Sequence, residues 1–229
     1  MPDFSKFETR IGYHFKEERL LQTAFTHRSY LNENRDTARE HNERLEFLGD
    51  AVLELVVTEF LFAKYPDKPE GDLTAYRAAL VNTQSIGEAA TKLGMNDFLL
   101  LSRGESRDTG RARQIILANA FEALIGAIYL DQGYVAAKDF IAKQLFHKTD
   151  DVVARRLWQD AKSRLQEIAQ EKNGATPSYQ LVSQSGPDHD KIFVVGAFIG
   201  SEKIAIGEGR SKQEAEQAAA EKALTVKGW

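Results

Sequence analysis

Two different periodicities in one chain predict a mainly α N-terminal domain followed by a small α+β domain of order α-β-β-β-α. Up to about residue 147, apolar residues recur at helical spacing in one segment after another. Beyond residue 160 a helical run gives way to three β-type runs and a closing helix. Between the two, residues 148–159 carry Asp150-Asp151 and Arg155-Arg156 with no evident core face, which reads as a linker, helical in part. The divisions are therefore 1–147, 148–159 and 160–229, and a chain of 229 residues is long enough for two modest domains.

The elements follow in order. Residues 17–26 form the first clear helix, with Leu20, Leu21, Ala24 and Phe25 at helical spacing. His27, just beyond it, reads as a packed, hydrogen-bonded histidine and not as a catalyst. Residues 32–42 are polar without an apolar period and read as loop. An unbroken pattern then runs from His41 to Tyr65 and stops at Pro66, which predicts one long helix. Glu70-Gly71-Asp72 starts the next helix, to about Leu80, with acids at its positive end. Residues 83–93 make another, ended by Gly94. Residues 102–113 are polar and carry Arg103, Arg107, Arg111 and Arg113, a composition suited to phosphate contact. Residues 115–130 are apolar on every side, as in a buried helix, and residues 134–146 close the domain. In the second domain residues 162–172 are helical and end at Asn173-Gly174. Strands are expected at 178–184, 191–199 and 203–208, then a helix N-capped by Ser211 and rich in alanine to about Val226.

Composition excludes several classes of chemistry. With no cysteine there is no disulfide, no thiolate zinc site and no cysteine nucleophile, which suits a reducing cytosol. The N-terminus lacks the apolar core of a signal peptide, and the 115–130 run is too short and too interrupted to span a bilayer. Net charge is −4; residues 1–147 hold 18 Lys/Arg against 22 Asp/Glu, and residues 148–229 hold 12 of each. Contact with a nucleic acid must therefore come from local clusters.

The chemistry gathers on the two long helices. At roughly 100° per residue, Leu45, Leu48, Val52, Leu55 and Val56 share one face of the first, and Glu43, Glu46, Asp50 and Glu54 share the opposite one. No lysine stands four residues on to relieve Glu43 or Glu46. Phe47 lies among these acids, where a merely solvated face has no use for an aromatic ring. In the apolar run the strongly polar members are Asn119 and Glu122, three apart and so on one face. A carboxylate in that setting needs a cation or a proton. Two readings stay open: a buried ion pair with Arg77 or Arg113, or joint ligation of a hard divalent ion by Glu46, Asp50, Glu122 and Asn119.

Glu-Arg-Leu-Glu-Phe-Leu-Gly-Asp at 43–50 resembles the signature of the ribonuclease III family, and Ala-Asn-Ala-Phe-Glu-Ala-Leu-Ile-Gly at 118–126 resembles that family's second metal-binding helix. The likeness runs nearly end to end, since the C-terminal unit resembles a double-stranded RNA-binding domain. It implies an endoribonuclease that cleaves double-stranded RNA with Mg²⁺ (Mn²⁺ as substitute) and leaves 5′-phosphate and 3′-hydroxyl ends with two-nucleotide 3′ overhangs. Processing of rRNA precursors and mRNA in the cytoplasm goes with it. Glu46, Asp50, Asn119 and Glu122 are the expected metal shell, with Asp50, Glu122, Glu43 and Glu70 the catalytic set. Two ions about 3.5–4 Å apart would serve the attacking water and the leaving oxygen. A symmetric homodimer is implied, with Phe47 as an apolar plug into the partner, and no membrane. The RNA contacts carried over are Gln166 and Glu167 for a minor groove, His189 for the next, and Ser211 and Lys212 as a phosphate clamp. The chain departs from the pattern twice, with Asn119 where aspartate is usual and Gln213 where a second lysine often stands. Asn119 is the feature that favours the rival expectation, a protein that binds duplex without cutting it.

Overall fold

The computed structural model describes residues 1–34, 39–154, 160–187 and 191–229. The chain divides into two compact units, Met1–Trp158 and Gln159–Trp229. The first is all helical: α1 (Phe4–Ile11), α2 (Glu18–Ala24), α3 (Arg28–Glu33), α4 (Glu43–Lys64), α5 (Glu70–Val81), α6 (Thr83–Lys92), α7 (Arg111–Leu145) and α8 (Thr149–Ala154). The second has α9 (Ala161–Asn173), β1 (Pro177–Ser185), β2 (Ile192–Ile199), β3 (Glu202–Gly209) and α10 (Lys212–Lys227). The expected mainly α domain followed by an α-β-β-β-α domain is what forms.

The first unit is built on the crossing of α4 and α7. Leu53, Val56 and Val57 of α4 and Phe121, Leu124, Ile125 and Ile128 of α7 are completely buried where they meet. Two glycines make the crossing close. A Cβ on Gly49 would lie 1.8 Å from the backbone oxygen of Glu122, and one on Gly126 would lie 2.3 Å from that of Leu45. Side chains at Glu46 and Asp50 are thereby held beside those at Asn119 and Glu122. By length and composition α7 is apolar enough to cross a membrane, yet its apolar surface is the core of this unit. It bends at Gly133, whose φ of 84° breaks the helical backbone in a conformation that residues with a Cβ avoid. Phe7 and Phe25, with ring centroids 4.7 Å apart edge to face, belong to an aromatic cluster with Phe4 and Phe98 under α1.

Two expectations from the sequence change here, and a third becomes definite. Residues 28–33, read as the approach to a loop, form α3. It buries none of its own residues, so it leaves no apolar period, and the His27 side chain caps it by accepting from Ser29 N–H. Leu55, assigned to the core face of α4, is 52% exposed. The buried stripe centres on Leu53, and at about 100° per residue Leu55 lies about 160° from it. Residues 149–154, in the linker read as helical in part, form α8, with Thr149 and Val152 buried and Lys64 paired to Asp150 at 2.6 Å. Arg155 and Arg156 lie outside the described residues.

In the second unit the strands pair antiparallel in the order β1-β2-β3. Ala197 and Ile199 of β2 face α9 and α10, burying Leu165, Ala219, Ala220 and Ala223 between sheet and helices. The alanines of α10 allow a close approach to β3: a Cβ on Gly207 would lie 2.1 Å from the Ala219 nitrogen.

Candidate active site and RNA-binding face

The acids of α4 stand as a row whose two ends are neutralised and whose middle is not. At one end Glu43 meets Arg28 Nη1 at 3.4 Å and His41 Nδ1 at 3.8 Å. At the other, Glu54 meets Arg77 Nε at 2.7 Å, and Arg77 also donates to Thr58 Oγ1 at 2.9 Å. Between them Glu46 and Asp50 are joined by Glu122 from α7, and among the described residues no cation pairs with these three. The Glu122 carboxyl is pushed up to about 8 by burial, and then by the charges of Asp50, Glu46 and Glu54. Glu46 is also raised, by burial and by Glu43 and Asp50, against a side-chain hydrogen bond from Asn119 that favours its charged form.

The ion-pair alternative for Glu122 is not realised. Arg77 is taken by Glu54, and Arg113 is buried with its guanidinium donating to the backbone oxygens of Glu105 and Asp108 and to Asn96 Oδ1. The remaining donors suit a hard divalent ion: oxygen only, three uncompensated carboxyls and one amide. Among the described residues no three acidic or imidazole groups already stand together at ligating distance. Mutual repulsion opposes their closing until a cation relieves it. Glu70 is the first residue of α5, and its carboxylate accepts from Thr74 Oγ1 at 3.0 Å on the same helix.

Phe47 projects from the same helix with 81% of its surface exposed. It borders a groove of about 740 Å³ in which Leu20, Leu45, Leu48 and Leu130 lie among charged residues that include Arg19, Glu40, Glu43 and Arg44. Arg28, the pairing of Arg77 with Glu54 and the glycine pair escaped the sequence reading. A glycine at position 49, inside a long helix, was the one available signal, because such glycines often mark close approach.

In the second unit Gln166 and Glu167 stand exposed on α9. Ser211 caps α10 by accepting from Glu214 N–H at 3.1 Å, and Lys212 follows, exposed, in its first turn. His189 lies outside the described residues. Gln166 and Gln213 line one polar groove of about 440 Å³ together with Ser163, Tyr179 and Gln217. Gln213 therefore adds an uncharged donor and acceptor beside Gln166, where a second lysine would have added charge.

Known proteins fit this arrangement. Residues 17–149 match the family model described as ribonuclease-III-like, and residues 161–227 match the double-stranded RNA binding motif. The chain is 47% identical over 221 residues to ribonuclease 3 of Bacillus velezensis, covering 96% of this chain and 88% of that one. The chain belongs to the ribonuclease III family. Ribonuclease 3 of Protochlamydia amoebophila is 45% identical over 95% of this chain and 89% of its own. The solved nuclease domain of ribonuclease III from Campylobacter jejuni is 44% identical, with a TM-score of 0.56, covering 62% of this chain and 98% of that one. Membership makes the chain an endoribonuclease of double-stranded RNA, in a family dependent on divalent metal. The C-terminal unit is its duplex-binding module.

Proposed function

We propose that the chain hydrolyses phosphodiester bonds of double-stranded RNA with Mg²⁺, or Mn²⁺ in its place, held by Glu46, Asp50, Glu122 and the amide oxygen of Asn119. The observation that carries this reading is the uncompensated middle of the acidic row, set between ends already paired with Arg28 and Arg77. When bound, the metal supplies charge to a phosphate oxygen and makes water a better nucleophile. The protein's own part is placement. The α4–α7 crossing fixes the donors, and Arg28 and Arg77 hold the outer carboxylates away from the centre. Glu122 keeps a proton at neutral pH while no cation is present, which lowers the repulsion in the empty site. Glu43 takes a supporting place at the margin, orienting water. Glu70 is a further supporting residue, by its match to the family alone.

The proposal extends to a cytoplasmic homodimer that processes rRNA precursors and mRNA, leaving 5′-phosphate and 3′-hydroxyl ends with two-nucleotide 3′ overhangs. Exposed Phe47 beside a groove that offers Leu20, Leu45, Leu48 and Leu130 supports assembly, with each ring seated on those leucines of the second copy. A dimer-forming region is named for the Campylobacter jejuni nuclease domain. The absence of cysteine agrees with a reducing compartment. Incubating the purified chain with a long RNA duplex and Mg²⁺, then sizing and end-labelling the products, tests the reaction. Short duplexes with 5′-phosphates are expected, and single-stranded RNA of the same sequence stays intact. Full-length duplex at every Mg²⁺ concentration would overturn the proposal.

A further inference from the structure

The two helices of the second unit meet through shallow surfaces. The buried apolar residues of α9 are Ala161, Leu165 and Ala169, and α10 brings Ala219, Ala220 and Ala223 to the same core. Methyl groups make low ridges, so this packing holds α9 and α10 together without fixing how far one slides along the other. A polar clasp near their N-terminal ends does that. Gln217 of α10 spends both ends of its amide on the start of α9: Nε2 donates to Asp160 Oδ1 at 3.0 Å, and Oε1 accepts from Lys162 N–H at 3.4 Å. Beside it Lys162 Nζ donates to Glu216 Oε2 at 2.6 Å and lies 5.2 Å from the centre of the Tyr179 ring. Asp160 is itself held, since it caps α9 by accepting from Ser163 N–H at 3.0 Å and from Ser163 Oγ at 2.6 Å.

The clasp stands one helical turn from each expected RNA contact. Gln166 follows Lys162 by four residues on α9, and Lys212 precedes Glu216 by four on α10. The clamp turn is rigid on its own helix, because Glu214 N–H donates to Ser211 Oγ at 3.1 Å and Arg210 N–H to the Glu214 carboxylate at 3.0 Å. What is left to set is the offset between the two helices. We propose that Gln217 is a positioning residue: with the Lys162–Glu216 pair it clasps α9 to α10, so that Gln166 and Lys212 reach one RNA duplex together. Contacts already in register cost less freedom when the duplex arrives. Duplex binding is taken here from the family assignment, and Gln166 and Lys212 as its contacts from the resemblance; the metal site plays no part.

The test is duplex binding by the full chain without divalent ions, read by anisotropy of a short fluorescent RNA duplex across a salt series. Gln166→Ala and Lys212→Ala are each expected to weaken binding about tenfold. The lysine variant should also flatten the salt slope by about one unit, for the phosphate no longer neutralised. Gln217→Leu fills the same space without hydrogen bonds and should weaken binding about tenfold although it touches no RNA. In that background Gln166→Ala and Lys212→Ala should each cost less than about twofold further, because a module out of register holds one contact at a time and keeps the other when one is lost. A loss of stability alone would leave the two contacts additive and the salt slope unchanged. Circular dichroism checks folding; if Gln217→Leu does not fold, Glu216→Ala releases Lys162 and takes its place. Unchanged affinity for the Gln217 variant, or additive losses in its background, would remove Gln217 from its positioning role. Unchanged affinity for both Gln166→Ala and Lys212→Ala would remove the contacts that the clasp is said to align, and the proposal with them. A chain that binds as expected yet leaves duplex uncut with Mg²⁺ would count against the nuclease proposal alone.

Discussion

Gly49 and Glu122 meet backbone to backbone: a methyl group on Gly49 would stand 1.8 Å from the Glu122 carbonyl oxygen and 2.9 Å from Gly126 N. Neither neighbour is a side chain that can swing away, so the helices themselves must part. Gly49→Ala is expected to cost about 3 kcal/mol, the upper part of the usual range for overpacking. For a protein of this size that lowers Tm by roughly 6–12 °C. Cleavage should fall even below that temperature, because parting α4 from α7 separates Glu46 and Asp50 from Glu122. An unaltered melting curve would mean the crossing is not as close as described.

Glu122→Gln separates binding from chemistry. The amide keeps the shape of the side chain and loses its capacity for full charge, so cleavage should disappear while a gel shift still reports duplex binding. The same substitution changes stability in a defined direction. The folded carboxyl lies near 8 and the ordinary value is 4.5, so between those limits the folded state holds the extra proton. Metal-free stability from this group therefore falls as pH rises through that window. Urea unfolding in chelator at pH 5.5 and 8.5 should show this slope in the original protein and a flatter one in the glutamine variant.

Metal uptake should then expel a proton. Below about pH 8 the Glu122 carboxyl is protonated in the empty site, and a ligating carboxylate must be ionised. Titration calorimetry of Mg²⁺ binding at pH 7, in two buffers of different ionisation enthalpy, should report close to one proton released. Affinity should rise with pH and level off above about 8. Equal heats in both buffers would show that Glu122 is already charged.

The acidic row was legible because helical spacing alone puts Glu43, Glu46, Asp50 and Glu54 on one side of α4, and because Glu122 stands out in an apolar run. The strands and the alanine-rich last helix were legible for the same reason, a clear period between strong turn signals. What stayed hidden depends on contacts between distant parts of the chain. Nothing local marks Arg28 as the partner of Glu43, or Arg77 as that of Glu54. Helix α3 left no signal because it buries nothing, and its cap is a histidine. Leu55 was misplaced because a wheel drawn on α4 alone cannot say which side its neighbours cover. Glu70 was carried over from the family pattern, and among the described residues its hydrogen-bond partner is Thr74 on its own helix.

Assembly should depend on Phe47. A ring with 81% of its surface in water contributes little to the fold of its own chain, so Phe47→Ala should leave the unfolding midpoint nearly unchanged. Sedimentation of the original protein at micromolar concentration is expected to give a dimer, and of the variant a monomer. Leu130 lines the adjoining groove and is 54% exposed, so Leu130→Glu should act in the same direction from the receiving side. A variant that remains dimeric would place the interface elsewhere.

Asn119 stands where aspartate is usual in the family, and it donates a side-chain hydrogen bond to Glu46. An ionised aspartate cannot donate that bond; it would set a further negative charge beside Glu46, Asp50 and Glu122. Asn119→Asp should therefore lower the stability of the metal-free protein at neutral pH, where the added carboxylate has no cation to meet. In compensation the site gains charge for Mg²⁺, so metal binding should tighten and stabilise the variant more than the original. The original enzyme is expected to need more Mg²⁺ for half-maximal cleavage, with similar rates once metal saturates, because Glu46, Asp50 and Glu122 are common to both. Melting curves with chelator and with Mg²⁺ read the first effect without any turnover, and a Mg²⁺ titration of cleavage reads the second. Identical melting of the two metal-free proteins would show that the Asn119–Glu46 bond does not relieve the row.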